Sequence, residues 1–276
     1  MAIDIRRREF IFTLGGAAAA WPLAARAQQP GMPVVGFLRS GTLTDVPHYV
    51  TVFRQGLKEA GFVEGQNVAI EYRSDEGQPD RLPLLVADLL RRQVALIVCN
   101  TPSTLAAKAA TTTVPIVFVT GADPVRDGFV ASVNRPGGNV TGISFLTVEL
   151  AAKRLGLLRE LRPGAARIAV LVDPKWPLTE RFASEVRAAA SAISQQIEVL
   201  YVGSDREIET AFTTLVQLGA GALLCGTGEL LLSHRERIVA LAARHKIPAI
   251  HVSRDYVAAG DGDMLWSQVM GDGVST

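Results

Sequence analysis

Two stretches of the sequence share one plan and decide the fold. Residues 94–102 read Val-Ala-Leu-Ile-Val-Cys-Asn-Thr-Pro, and residues 221–228 read Gly-Ala-Leu-Leu-Cys-Gly-Thr-Gly. Each apolar run leads into a threonine-containing turn, a helical pattern, and a Val-Pro or Ile-Pro step into another apolar run, at residues 114–120 and 247–253. Any two βαβ units share this general pattern, but the matched cysteine and threonine positions favour an internal duplication. The sequence therefore predicts two α/β lobes of like construction.

Strand-like and helix-like patterns alternate along the rest of the chain. Short β-rich runs occur at residues 34–38, 68–72, 94–98, 116–119, 140–144, 168–172, 197–202, 220–224 and 249–252. Several of these runs are continuously apolar, which is typical of strands covered on both faces. Amphipathic stretches with apolar residues at helical spacing lie between most of them. This alternation predicts two Rossmann-like (flavodoxin-like) lobes with parallel sheets and right-handed crossovers.

Composition and motifs exclude several classes of function. The 276 residues are 48% hydrophobic and 20% charged, which is ordinary for a globular protein. With 28 basic and 27 acidic residues the net charge is +1, so a general nucleic-acid binder is not expected. The sequence contains no phosphate-binding, nucleophile-elbow, zinc-protease or dinucleotide motif, so we expect no cofactor and no enzyme activity. The remaining enzyme alternative is an exported α/β hydrolase or racemase that uses Cys225 beside His251.

Residues 1–27 have the pattern of an export signal. Three arginines at positions 6–8 precede the uncharged residues 10–24, a stretch shorter than the roughly 20 residues of a membrane span. Ala25-Arg26-Ala27 fits a small-x-small cleavage site, and the arginine pair before x-Phe-Ile resembles a twin-arginine signal. A buried N-terminal helix or an uncleaved anchor is the alternative. We expect cleavage near Ala27 and a periplasmic protein.

The two cysteines, Cys99 and Cys225, each end an apolar run. An exported protein could pair them, but they occupy equivalent positions in different lobes. We therefore expect two buried thiols rather than a disulfide. No further cysteine or histidine stands at ligand spacing, so a zinc site is not predicted.

Polar loops follow most of the predicted strands. Because the carboxyl ends of parallel strands share one edge of a sheet, ligands bind there, next to helix N-termini. The candidate ligand-binding residues in these loops are Ser40, Thr101, Ser103, Asp123, Asp173, Trp176, Thr227 and Asp255. Together they predict a small-solute site between the lobes.

Each candidate has an expected role and an alternative one. We expect the hydroxyl groups of Ser40, Thr101 and Thr227 to hold an acidic or polar end of the solute. Asp123 and Asp255 would meet its positive end, and Trp176 would cover an apolar side chain. Helix capping is the alternative for the serines and threonines, and packing on a neighbouring helix is the alternative for Trp176.

A set of motifs distributed along residues 32–260 resembles a known family. The motifs are Phe53-Arg-Gln-Gly-Leu57, Gly61-Phe-Val-Glu-Gly-Gln-Asn-Val68, Asp123-Pro-Val125, Gly128-Phe-Val130, Arg135-Pro-Gly-Gly-Asn-Val-Thr-Gly142, Ile247-Pro248 and Asp255-Tyr-Val-Ala-Ala-Gly260. As a set they resemble the bacterial ABC-transporter substrate-binding proteins of the tryptophan/tyrosine-binding (TrpX-like) family.

The resemblance implies a fold, a function and partners. The fold would be that of type I periplasmic binding proteins, with an N-terminal lobe at residues 32–145, a C-terminal lobe at 146–255 and a multi-strand hinge. The lobes would close on a small solute, an amino acid with aromatic and branched ones among the candidates, and deliver it to a membrane ABC permease. The alternative is an exported sensing module that docks on a receptor.

The sequence also departs from the family pattern. Asp173 stands where relatives often have asparagine, and Gly228 and Glu229 stand near a position where they often have aspartate. Residues 256–276 form an atypical tail in place of the family's returning segment. The resemblance therefore implies a C-terminal truncation, by a frameshift or a premature end, that leaves the first lobe without a helix. A natural short variant that pairs with a partner is the alternative.

Overall fold

The computed structural model describes residues 31–253 and 255–260. The predicted export signal and residues 261–276 of the predicted tail lie outside this part of the chain. The described residues form two parallel sheets, one after the other along the chain. No helix among them is long and apolar enough to cross a membrane.

The first sheet has five strands in the order β2-β1-β3-β4-β5, all parallel. They are β1 (Val34–Arg39), β2 (Ala69–Ser74), β3 (Leu96–Asn100), β4 (Ile116–Thr120) and β5 (Val140–Ser144). The helices of this lobe are α1 (Pro47–Glu59), α2 (Leu82–Arg91) and α3 (Thr101–Ala110). Short 3₁₀ turns at Leu43–Asp45 and Pro79–Arg81 precede α1 and α2.

The second sheet has four parallel strands in the order β7-β6-β8-β9. They are β6 (Arg167–Val172), β7 (Gln196–Tyr201), β8 (Ala222–Cys225) and β9 (Ala249–Ile250). The helices are α4 (Ala151–Leu161), α5 (Thr179–Ala192), α6 (Asp205–Gln217), α7 (Glu229–Ser233), α8 (Arg235–Arg244) and α9 (Asp255–Ala258). The predicted runs of β-rich sequence all overlap strands, so the predicted α/β class with parallel sheets is confirmed.

The register of the sheets supports the internal duplication. In the first lobe Leu38 of β1 pairs with Cys99 of β3, and in the second lobe Leu171 of β6 pairs with Cys225 of β8. Both cysteines are buried and neither forms a disulfide, as the sequence predicts. The threonine that follows each cysteine by two positions therefore reaches the same edge of its sheet.

Apolar helix faces cover the sheets, as the helical spacing of their residues requires. In the first lobe Val86 and Leu89 of α2 are fully buried, and Leu89 packs against the backbone of Gly36 in β1. In the second lobe Leu155 of α4 and Phe182 of α5 join the core on one face, whereas Phe212 of α6 joins the core on the other.

The second lobe extends beyond the predicted boundary after residue 255. That boundary falls inside α9, and Tyr256 of this helix is almost fully buried in the core of the second lobe. Ala259 packs against the same core. The first residues of the predicted tail are therefore part of the second lobe, which corrects the expected division.

One sheet face differs between the lobes. In the first lobe α1 covers β1 through the contact of Phe53 with Phe37, whose ring centroids are 5.0 Å apart. On the same face Val119 of β4 and Ile143 of β5 remain 42% and 61% exposed among the described residues. In the second lobe α4 contacts β8 and β9 at the matching place. The described part of the first lobe has no such helix.

Candidate functional site

A cavity of about 920 Å³ lies at the carboxyl ends of both sheets, and we call it the interlobe cavity. Residues from both lobes line it, because the ends of β1, β3, β4 and β5 face those of β8 and β9. Most of its wall is apolar. The apolar wall includes Phe37, Phe53, Val98, Val119, Ile143, Phe145, Leu157, Trp176 and Ile250. A cavity of this size and lining suits a small ligand with an apolar body.

Three predicted residues line the interlobe cavity, namely Thr101, Trp176 and Thr227. The Oγ1 atoms of Thr101 and Thr120 are 2.7 Å apart, so the first hydroxyl is already bonded within its lobe. Trp176 is 5% exposed and belongs to the core of the second lobe as well as to the cavity wall. The Oγ1 of Thr227 is buried and has no hydrogen-bond partner among the described residues. Thr227 is therefore the predicted cavity residue whose hydroxyl has unused bonding capacity.

Three other predicted residues lie behind the cavity wall and do not line it. The Ser40 hydroxyl donates to Asp75 at 2.7 Å, and the Ser103 hydroxyl donates to Asn100 Oδ1 at 2.8 Å. Asp173 accepts from the backbone N–H groups of Lys175 at 2.9 Å and Leu230 at 3.1 Å. Burial raises the pKa of Asp173, while these two N–H groups oppose the shift. We expected these residues to contact the ligand directly. The structure instead places them behind the residues that line the cavity, where they hold neighbouring side chains and backbone groups in place.

Asp123 lies away from the interlobe cavity. Its Oδ1 accepts from the backbone N–H groups of Val125 at 2.9 Å and Arg126 at 3.0 Å, so it caps a turn. The N–H of Arg126, together with that of Val125, holds the pKa of this carboxyl below its usual value. The expected contact of Asp123 with a positive ligand group is not supported, because the loop turns the carboxylate onto its own backbone.

Asp255 begins α9 at the rim of the interlobe cavity. It accepts from the Tyr49 hydroxyl at 2.8 Å and from the Ser253 hydroxyl at 2.6 Å, and His48 Nε2 lies 3.0 Å away. Burial and the bond to Asp255 raise the pKa of Tyr49 to about 12. The carboxylate therefore joins the second lobe to α1 of the first.

Glu229 is a functional candidate that the sequence prediction missed. It begins α7 in the second lobe, yet its Oε1 accepts from Asn100 Nδ2 at 2.7 Å and its Oε2 from Arg39 Nη2 at 2.5 Å. Gly41 permits this approach, because a Cβ there would lie 2.8 Å from Glu229 Oε2. Burial raises the pKa of Glu229 to about 7, against the opposing charge of Arg39. Glu229 thus links the strand ends of both lobes inside the cavity.

Arg154 of α4 is the second candidate that the prediction missed. Its side chain lines the interlobe cavity and the residue is only 8% exposed. Nη2 donates to the backbone carbonyl of Thr147, whereas Nε and Nη1 are buried without a hydrogen-bond partner among the described residues. Burial lowers the pKa of Arg154 to about 10, so it remains protonated at neutral pH. The sequence holds one indication of this position. Arg154 stands four residues from both Leu150 and Leu158, so it lies on the same face of α4 as these apolar residues.

The pair Cys225 and His251 does not have the properties of a nucleophile and its base. Burial raises the pKa of the Cys225 thiol to about 12 and lowers the pKa of His251 to about 3. The thiol lies 3.9 Å from the Tyr256 hydroxyl, and the His251 ring stacks on the Tyr256 ring at 4.2 Å. A thiolate is therefore disfavoured at this place, and both side chains serve the core.

Ion pairs also join the lobes on the side of α5. Arg181 of α5 bonds Asp127 of the first lobe as well as Glu149 at the crossing between the sheets. Arg126 of the first lobe lies 2.9 Å from Glu185 of α5. Together with the Glu229 and Asp255 contacts, these pairs join the two lobes at several places.

Two parallel-sheet lobes whose strand ends enclose a cavity give the chain the fold of type I periplasmic binding proteins. Within that class, the chain belongs to the family of ABC transporter substrate binding proteins, whose family model matches residues 46–264. The proteins of this family bind a substrate and are not enzymes. The predicted family and the predicted absence of enzyme activity are thereby confirmed.

Solved structures share this fold at low sequence identity. A conserved domain protein from Vibrio cholerae matches with a TM-score of 0.74 at 22% identity, covering 83% of this chain and 77% of that one. The ABC domain in complex with L-Trp from Streptococcus pneumonia matches with a TM-score of 0.71 at 22% identity, covering 83% and 76%.

A curated relative is similar in sequence as well. The tyrosine-binding protein of Clostridioides difficile is 26% identical over 210 residues, which are 75% of this chain. The match spans 60% of the length of that relative.

Proposed function

We propose that this chain is the extracytoplasmic solute-binding component of an ABC importer and holds an amino acid with an aromatic or branched side chain. The observation that carries the proposal is the interlobe cavity, which both lobes form and whose wall is mostly apolar. The Oγ1 of Thr227 and two nitrogen atoms of Arg154 provide polar groups without partners among the described residues. Such a cavity suits a ligand with one apolar and one polar end.

Similar proteins support the amino acid as the ligand class. The Clostridioides difficile relative is a tyrosine-binding protein, and the Streptococcus structure contains L-Trp. In this chain Phe37, Phe145 and Trp176 offer aromatic wall area for such a side chain.

Closure of the two lobes around the solute is the proposed mechanism. Polar contacts join the lobes, with Glu229 bonding Asn100 and Arg39 on one side and Arg181 bonding Asp127 on another. These pairs are largely buried, so opening the lobes would return their charges to water, and the gain in hydration would offset much of the lost attraction. A solute bound to both lobes would add to these contacts and stabilise the closed form, which a permease would then recognise.

Export to the periplasm is part of the same proposal. It is supported by the pattern of residues 1–27, with its arginines, uncharged stretch and small-x-small site. A fusion of residues 1–27 to a reporter that works only after export tests this part, and a reporter retained in the cytoplasm would contradict it.

A thermal melt of the full-length chain with a panel of free amino acids tests the ligand class. At 100 times its dissociation constant, a ligand specific for the folded state adds about 2.7 kcal/mol of stability and raises the midpoint by several degrees. We expect such a shift for an aromatic or branched amino acid and none for glutamate or lysine. A cooperative melt that no amino acid shifts would contradict the proposal.

Two tryptophan variants locate the binding site in the same assay. Thr227→Trp places a bulky ring into the interlobe cavity and should abolish the shift while the cooperative melt persists. Val216→Trp is the matched control, because Val216 is exposed on α6 and does not line the cavity. A shift that survives Thr227→Trp unchanged would place the ligand elsewhere.

A further inference from the structure

The cations of the interlobe cavity outnumber its acids. The lining contains the side chains of Arg39, Lys153 and Arg154, whereas Glu229 is the carboxylate among the described lining residues. Glu229 already bonds Arg39, so these two charges offset each other. Lys153 is exposed at the surface of α4. Arg154 is thus the buried cation of the cavity that no described acid neutralises.

The bonding of Arg154 is incomplete in a way that points to a ligand. A guanidinium carries five N–H donors in a planar fork, which matches the two oxygen atoms of a carboxylate. Nη2 uses the Thr147 carbonyl, but Nε and Nη1 are buried without a hydrogen-bond partner among the described residues. A buried unpaired cation is costly to keep in a fold, so a partner for it is expected from outside the described chain.

The surroundings hold Arg154 in place. Its guanidinium carbon lies 5.8 Å from the centre of the Phe182 ring, so the fork packs against an aromatic face. The unpartnered Oγ1 of Thr227, at the end of β8, lines the same cavity. Both groups belong to the second lobe, and α4 carries Arg154 across β8 and β9.

We propose that Arg154 binds a carboxylate group of the solute, with the Thr227 hydroxyl as an additional polar contact, and so restricts the ligands of this cavity to carboxylates. This inference rests on the proposed function and refines it by naming the ligand group that is recognised. The two acids at the cavity already have partners in this chain, since Glu229 bonds Arg39 and Asn100 and Asp255 bonds Tyr49 and Ser253. The carboxylate therefore contributes more to binding than the ammonium group does.

Titration calorimetry of the full-length chain with three related ligands tests the inference. The ligands are the best amino acid of the melt panel, the acid that lacks its amino group, and the amine that lacks its carboxylate. We expect the acid to bind within tenfold of the amino acid and the amine at least 100-fold more weakly. An amine that binds as well as the acid would overturn the inference, although the proposed function would stand.

Variants of Arg154 provide the second arm. Arg154→Met should weaken binding of the amino acid and the acid by about 10- to 150-fold, since a hydrogen bond to a charged group has that worth. Arg154→Lys retains the charge but lacks the planar fork of donors. Its affinity for the amino acid and the acid should lie between that of Arg154→Met and that of the native chain. Arg159→Met is the matched control on the exposed side of α4 and should bind within twofold of the native chain. Unchanged binding in folded Arg154→Met and Arg154→Lys proteins would overturn the inference.

Melting without a solute distinguishes this inference from the proposed function. Replacing an unpaired buried cation with methionine should leave the midpoint equal or higher, and a midpoint lowered by more than about 3 °C would assign Arg154 a structural role and overturn the inference. The melting midpoint is also compared in sodium acetate and in sodium chloride at equal ionic strength. Acetate should raise the midpoint of the native chain by more than it raises the midpoint of the Arg154→Met protein. If no amino acid binds but this acetate difference is present, the proposed function fails and the carboxylate site stands. An absent acetate difference overturns the site.

Discussion

Thr101 and Thr227 occupy matched positions in the two lobes, but their hydroxyl groups differ in bonding. Thr101 shares a hydrogen bond with Thr120, whereas the Oγ1 of Thr227 has no hydrogen-bond partner among the described residues. Removing a bonded buried hydroxyl takes a hydrogen bond from its partner, while removing an unbonded one does not. The same substitution should therefore change the free energy of unfolding at Thr101 and leave it nearly unchanged at Thr227.

Thr227→Val should leave the free energy of unfolding within about 0.5 kcal/mol of the native value, whereas Thr101→Val should lower it by about 1–2 kcal/mol. Solute affinity should fall for Thr227→Val, because its hydroxyl is the one available to the ligand. Denaturant titration and calorimetry measure the two effects. Equal destabilisation by both variants would contradict the difference in bonding.

Glu229 should give the ligand-free protein a stability that depends on pH. Its pKa is raised by burial from 4.5 to about 7, so the folded state retains a proton that the unfolded state loses between these values. The free energy of unfolding should therefore fall as the pH rises from about 4.5 to 7, by on the order of 2 kcal/mol. Glu229→Gln should remove this part of the dependence, as denaturant titrations at pH 5 and pH 8 would measure. Identical losses in the native and variant proteins would rule out Glu229 as the cause.

At the scale of elements, sequence periodicity predicts the strands and helices well. Continuous apolar runs such as the one at residues 168–172 are buried on both faces in β6, and the helical spacing of Ile208, Phe212 and Leu215 matches the buried face of α6. Strand-end reasoning also predicted three residues that line the interlobe cavity, Thr101, Trp176 and Thr227, because the carboxyl ends of parallel strands share an edge.

The rest of the site depends on contacts between elements that are distant in sequence. Glu229 matters because α7 brings it to Asn100 and Arg39 of the other lobe, and no local pattern encodes that approach. Asp123 has the residue type expected of an ammonium ligand, but the turn in which it stands directs the carboxylate onto its own backbone. Side-chain direction in loops is set by such local bonds, which the strand-end rule does not predict.

The turn before α7 places Glu229, and it depends on the close approach of Gly228 to Asp173. A Cβ at residue 228 would lie 2.4 Å from the Asp173 Cβ, a distance at which the backbone has to shift. Gly228→Ala should therefore lower the free energy of unfolding by about 1–3 kcal/mol and weaken solute binding. Both effects can be measured by denaturant titration and calorimetry.

Gly156→Ala is the matched control for this prediction. Gly156 lies inside α4, and a Cβ there would meet nothing within 4 Å. Alanine is a better helix former, so this variant should be more stable by about 0.5–1 kcal/mol with unchanged binding. If both glycine variants changed stability alike, the close approach at Gly228 would not be the cause.

At the scale of the whole molecule, the two lobes share one plan but differ in what covers one face of the sheet. The second lobe covers that face with α4, which also carries Arg154 to the cavity. In the described part of the first lobe, the matching strands instead present Val119 and Ile143 to the cavity. The first lobe therefore adds apolar wall where the second lobe adds Arg154, and a solute with two unlike ends would contact both.

Hydrogen exchange with and without the best ligand of the panel tests most directly whether the solute is held between the lobes. If both lobes contact it, amide exchange should slow together at residues 99–104 of the first lobe and 225–231 of the second. The outer helix α6, which does not line the cavity, should exchange unchanged and serves as the internal control. Protection confined to one lobe, or absent under saturating ligand, would contradict binding in the interlobe cavity.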